Sequence, residues 1–122
     1  METGLTYTSK TVVDERNTAI ALGSGDMPVF ATPAMMALME NAAMLAVKEH
    51  LPEGSTTVGE HIESSHIKPS PLGAEVEATA TLDKVDGRKL YFTVVVRQGN
   101  DIIGEGKHLR FIVDRERFLA KL

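Results

Sequence analysis

The amino-acid sequence predicts an α+β fold in which one long central helix is wrapped by a curved antiparallel sheet of about five strands. Two observations predict it. From Pro33 to Val47 every residue except Glu40 and Asn41 is apolar, so a helix here has no wet face and must be covered on all sides. From Ala74 onward the pattern changes to alternation with a period of two, interrupted by turn residues, and keeps that character almost to the end of the chain.

The elements follow in order. Leu5 to Val13 mixes Thr, Tyr and Val with polar residues and reads as a first strand. Asp14 to Phe30, with Gly23, Gly25 and Pro28, reads as a loop or flap. Thr32 before Pro33 is a helix-start signal, with Thr as the cap and Pro at the first helical position, and the helix runs to about His50, where Pro52 and Gly54 stop it. In TTVGEHIESSHIKP, Val58 and Ile62 share one parity and Ile67 falls on the other, which predicts a bulge or bend. Val76, Ala78, Ala80 and Leu82 then share one face of a strand. Asp86-Gly87 signals a hairpin, Leu90, Phe92, Val94 and Val96 repeat the alternation, and Gly99-Asn100 turns into a last long strand from Ile102 to Val113. DRERFLAKL reads as a short closing helix. One sheet of this size covers only part of an all-apolar helix, and a second copy of the chain would cover the rest. The expected architecture is a hotdog fold, one domain over residues 1–122, assembled as a homodimer.

Composition bounds the function. The 122 residues carry a net charge of −4 and no basic stretch longer than a pair, which argues against nucleic acid or an anionic membrane as the main partner. Cysteine is absent, excluding disulfides, thiolate nucleophiles and Cys-ligated metal. The N-terminus lacks a signal-type apolar core, and the longest apolar run is broken by a charge, so the expected location is cytoplasmic.

Glu40 is the residue out of place. Its helical neighbours Met36, Ala37, Ala43 and Met44 offer nothing to neutralise or hydrogen-bond a carboxylate. Burial there raises its pKa unless a donor arrives from elsewhere, and such a carboxylate suits general acid or base work near neutral pH. The other reading is a structural Glu paired with a buried Arg or Lys. Asn41, the second intrusion, is expected to orient a ligand or to satisfy a neighbouring strand. Thr32, at the helix start, is also placed to present a positive helix end to an acyl oxygen. Thr32 and Glu40 stand eight residues apart, about 12 Å along a helix axis. If both serve one substrate, one of them comes from a partner protomer.

Four histidines are present: His50, His61, His66 and His108. H-I-E-S-S-H lacks the i, i+4 helical spacing and the ligand count of a zinc site, and its H-x-E fragment has no P-C-x-x-C partner, so no metal is expected. His66, just before the turn-forming KPSPLG, is the one expected to act on a catalytic oxygen. His50 and His61 read as surface or helix-end residues and His108 as an ordinary strand residue. No G-x-S-x-G elbow is present, and GSGDMP fits neither a P-loop nor a dinucleotide fingerprint.

VFATPAMMALME, followed 26 residues after its Glu by the second His of HIESSHIKPSPLG, resembles the hotdog thioesterases of the fluoroacetyl-CoA thioesterase type. The D-G hairpin, GEGKH and the terminal ERF extend the resemblance over nearly the whole chain. It implies hydrolysis of a short-chain acyl-CoA thioester by a homodimer with its site at the interface, without metal or bound cofactor. It implies a catalytic set of Thr32, Glu40 and His66, with Glu40 as base or nucleophile, Thr32 as hydrogen-bond donor and His66 as orienting or proton-handling partner. Gly59 is implied to line the site, with its backbone N–H toward the thioester oxygen. Phe30 and Met36 are expected on the substrate side. Phe30 is the only aromatic in the segment before the helix, and Met35, Met36 and Met39 suggest either an adaptable apolar pocket or ordinary core. The alternative function is a non-catalytic acyl-CoA or small-ligand binding protein on the same fold. A hotdog hydratase is disfavoured because no D-x-x-x-x-H pair is seen.

Overall fold

A computed structural model describes residues 1–122. Strand β1 (Thr6–Val12) leads to a short helix α1 (Ala19–Leu22) and the long helix α2 (Thr32–Val47), which ends in a 3₁₀ turn, Lys48–His50. Strands β2 (Ser55–His66), β3 (Glu75–Asp86), β4 (Lys89–Gln98) and β5 (Asp101–Asp114) follow, and α3 (Arg115–Ala120) closes the chain. The five strands form one antiparallel sheet in the order β1-β3-β4-β5-β2, curled around α2. This is the hotdog architecture.

The alternation drives the sheet. Val76, Ala78, Ala80 and Leu82 of β3 and Leu90, Phe92, Val94 and Val96 of β4 are all buried against the helix. Each Val, Leu or Phe among them contributes about 1.5–3 kcal/mol when removed from water, and the two alanines less. The turns use glycine where the backbone demands it: Gly87 and Gly99 take φ of +59° and +60°, a region where other side chains clash.

From α2, Met35, Met39, Ala42, Ala43, Ala46 and Val47 are buried. Pro33, Ala37 and Asn41 stay exposed, so the sheet of one chain covers only one side of the helix. Asn41 Oδ1 accepts from Ser9 Oγ at 2.6 Å, tying the helix to β1.

Three local expectations need correction. The segment 14–30 is not all loop: Thr18 Oγ1 accepts from Ala21 N at 3.2 Å and Gly23 (φ +71°) closes one helical turn, α1. Thr32 is not the cap of α2. The cap position is Ala31, which makes no side-chain cap bond, and the Thr32 hydroxyl turns instead to His66. Val58 and Ile62 do not share a face. The β2–β5 register runs Thr57↔Ile112 and Gly59↔Arg110, then shifts so that His61 faces Leu109 and Ile62 faces His108. The irregularity therefore falls at Glu60, earlier than the parity of Ile67 indicates. A bulge of one residue exchanges the two faces of a strand. Thr57 and Gly59 point toward α2 before it, and Ile62, Ser64 and His66 after it.

Candidate active site

The inward face of the sheet near α2 carries two polar clusters. The first lies at the start of the helix. Thr32 Oγ1 and His66 Nδ1 are 2.8 Å apart. Phe30 stands edge-on to His66, with centroids 6.3 Å apart and planes at 78°. Phe30 is itself buried and its N–H donates to the Ser70 carbonyl at 2.9 Å, which fixes the floor of the site. These residues, with Ala19, Ile67 and Lys68, border a cavity of about 250 Å³. Burial pushes the His66 pKa below its ordinary 6.5, with the Lys68 backbone pulling partly back. The imidazole is therefore neutral near pH 7, and its Nε2 is buried without a hydrogen-bond partner. A neutral imidazole can give or take a proton as the tautomer requires.

The second cluster is built around Glu40. The apolar surroundings that its helix neighbours alone would give are not what the fold builds. Arg110 Nη1 lies 3.6 Å from Glu40 Oε2 and His108 Nε2 lies 4.0 Å away, while the Glu40 side chain keeps 44% of its surface exposed. Arg110 is buried and held on three sides. Its Nε donates to Thr57 Oγ1 at 2.8 Å, its Nη2 to the Thr57 carbonyl at 2.9 Å, and its Nη1 points to His108 Nε2 at 3.2 Å. His108 Nδ1 lies 2.8 Å from the His61 carbonyl oxygen. A carbonyl only accepts, so Nδ1 carries the proton and Nε2 offers its lone pair to Arg110. Burial lowers the His108 pKa, the His61 carbonyl opposes this, and the Arg110 charge lowers it further.

Gly59 lies beside this carboxylate for a reason of space. A Cβ there would fall 2.6 Å from Glu40 Oε2 and 3.2 Å from the His108 ring. Its place in the register, opposite Arg110, puts it at the edge of the bulge.

The structure thus brings Thr32, His66 and Phe30 together, and separately Glu40 and Gly59. Met36 is half-buried against the core and does not line the cavity beside Thr32 and His66. His108 and Arg110 are the residues that sequence reasoning missed. His108 is 3% exposed, not an ordinary strand residue. The signal was available in the strand pattern, because His108, Arg110 and Ile112 share the parity that faces the helix, and a buried guanidinium there needs an anion.

The model of the fluoroacetyl-CoA-specific thioesterase family matches residues 13–116. A fluoroacetyl-CoA thioesterase of Streptantibioticus cattleyicolor is 39% identical over 94 residues, 77% of this chain and 68% of that protein. The chain belongs to this family. The crystal structure of the family member FlK, a fluoroacetyl-CoA thioesterase, superposes with a TM-score of 0.92 at 35% identity, covering 99% of this chain and 94% of that one. A mutant of FlK in complex with fluoro-acetate superposes equally well, with a TM-score of 0.92 at 34% identity over 99% and 96% of the chains. A Thermus thermophilus thioesterase superfamily member has a TM-score of 0.91 at 27% identity, over 98% and 88%. The shared fold extends beyond the family to the wider thioesterase superfamily.

Proposed function

We propose that the protein hydrolyses a short-chain acyl-CoA thioester to the carboxylic acid and CoA, with Glu40, Thr32 and His66 as its catalytic residues. The observation that carries this reading is the pair of polar clusters on an otherwise apolar helix, in a chain of the fluoroacetyl-CoA-specific thioesterase family. Glu40 takes a proton from water as hydroxide adds to the carbonyl carbon, or its carboxylate attacks that carbon directly to give an anhydride that water then opens. In either case the carbonyl oxygen gains charge, and the Thr32 hydroxyl and the Gly59 backbone N–H are the donors assigned to it. Collapse of the tetrahedral adduct breaks the C–S bond and releases the CoA thiolate. His66 holds the Thr32 hydroxyl in direction and handles its proton.

Within one chain Glu40 packs against Gly59, His108 and Arg110, and Thr32 packs against His66. The site is therefore assigned to a homodimer, with Glu40 of one protomer facing Thr32 and His66 of its partner. The exposed Pro33, Ala37 and Asn41 supply the surface that the second copy covers. A chain without cysteine suits the reducing cytoplasm, where CoA thioesters occur.

The test is thiol release from a panel of short acyl-CoAs, fluoroacetyl-CoA among them, by wild type and Glu40→Gln. Wild type is expected to turn over and Glu40→Gln to lose about 10²–10⁴ in rate. Full activity in Glu40→Gln would overturn the assignment, and binding without hydrolysis by wild type would make the protein a ligand-binding module. A stable monomer by size-exclusion chromatography would remove the shared site.

A further inference from the structure

We infer that His108 is a positioning residue that holds Arg110 away from Glu40, so that the carboxylate has a fixed cation beside it without being bound by it. The inference rests on the proposed role of Glu40 as the reactive group. Three observations carry it. First, Arg110 Nη1 is 3.6 Å from Glu40 Oε2, outside hydrogen-bond distance, although no other Lys or Arg stands beside that carboxylate. Second, the guanidinium is spread over three acceptors, the Thr57 hydroxyl, the Thr57 carbonyl and His108 Nε2. Of these only His108 holds Nη1, the nitrogen nearest Glu40. Third, the His61 carbonyl at 2.8 Å fixes the tautomer that leaves Nε2 free to accept, so the restraint is anchored in the β2 backbone.

The alternative arrangement is easily pictured. An Arg–carboxylate pair gains most by closing into a charge-assisted hydrogen bond. Once closed, the carboxylate is a poorer base and a poorer nucleophile, because its lone pairs are held in the ion pair. With His108 in place, Arg110 stays 3.6 Å from the carboxylate and leaves both oxygens available. The groups facing His108 are Glu40 from α2, Arg110 from its own strand and His61 from β2, and the His108 pKa is lowered among them. The neutral ring is the form the restraint needs.

Three variants and one measurement test this. In His108→Leu, Nη1 loses its acceptor and closes on Glu40. The expected result is a fall in kcat of at least about tenfold with KM within about threefold, and an acid limb of the pH–rate profile displaced to lower pH by roughly one unit. In His108→Gln the side-chain carbonyl can accept from Nη1, and kcat is expected to recover to within about threefold of wild type. His108→Asn is too short to reach and should behave as the Leu variant. A merely structural role would lower stability in all three without moving the limb and without separating Gln from Asn. Nitrogen-15 NMR of wild type needs no variant to fold and no turnover: His108 is expected as the neutral Nδ1–H tautomer near pH 7. A protonated Nε2 there, or an unmoved acid limb in His108→Leu and His108→Asn, overturns the inference. If Glu40→Gln keeps full activity, the functional reading fails instead, and the tautomer still reports on the restraint.

Discussion

Thr32 Oγ1 meets His66 Nδ1 at 2.8 Å although 34 residues separate them in the chain. The contact exists because Thr32 occupies the first turn of α2 rather than its cap, which leaves its hydroxyl without a backbone duty. Thr32→Val keeps the shape and the β-branch and removes only the hydroxyl. Loss of one side-chain hydrogen bond costs about 0.5–1.5 kcal/mol of stability, whereas removal of an oxyanion donor lowers kcat by about 10²–10³. Chemical denaturation and steady-state kinetics on the same preparation should show this separation. A variant with unchanged kcat would remove Thr32 from the reaction.

Gly59 is constrained by the carboxylate next to it. Gly59→Ala introduces a Cβ 2.6 Å from Glu40 Oε2, and the near atom is the end of a flexible side chain. Glu40 can move, so the fold should survive with only a small loss in melting temperature. The displaced carboxylate should lower kcat/KM by at least about tenfold, equivalent to about 1.4 kcal/mol of transition-state stabilisation. Thermal melts read against kcat/KM check both halves.

Two partly or fully desolvated histidines set an acid limit. Burial holds the pKa of His66 and of His108 below 6.5 in the folded state. Below pH 6.5 the unfolded chain therefore binds more protons at these positions than the native one, and stability rises with pH in that window. The contribution is complete above pH 6.5 and is lost as the pH falls toward the folded-state values. Melting temperatures of wild type and His66→Asn between pH 7 and 5 should converge as the pH falls. Parallel curves would show that His66 does not titrate with folding.

Arg110 is not exchangeable with Lys. A single ammonium cannot reach Thr57 Oγ1, the Thr57 carbonyl and His108 Nε2 together. Arg110→Lys leaves at least one buried acceptor unpaired, at a cost of about 1–3 kcal/mol. Urea unfolding measures it, and an unchanged midpoint with unchanged slope would mean that the strand pair does not depend on the fork.

Much of this was legible in the sequence where one physical rule dominated. The alternation of β3 and β4 named their buried faces residue by residue, because a period of two leaves no choice once one face is apolar. Asp86-Gly87 marked a hairpin, with Gly87 at the positive φ. The odd carboxylate in α2 marked Glu40, yet its partners stayed hidden. Arg110 and His108 lie some 70 residues further along, and only the β2–β5 register brings them to Glu40. Thr32 was read through local capping preference, which lost to a tertiary contact with His66. Phe30 was visible as a lone aromatic, but its place as a buried floor under the imidazole depends on the Ser70 carbonyl that holds its backbone.

The single extra residue at Glu60 has an effect on how β2 can change over time. Up to Gly59 the odd-numbered positions look at the helix, and from Ile62 the even-numbered ones do. The side chain at position 60 is free to vary, since it is exposed, but the number of residues between Gly59 and His66 is not. Losing or gaining one would rotate either the glycine or the histidine to the solvent side while leaving composition almost untouched. Spacing, more than residue identity, is what this strand has to inherit.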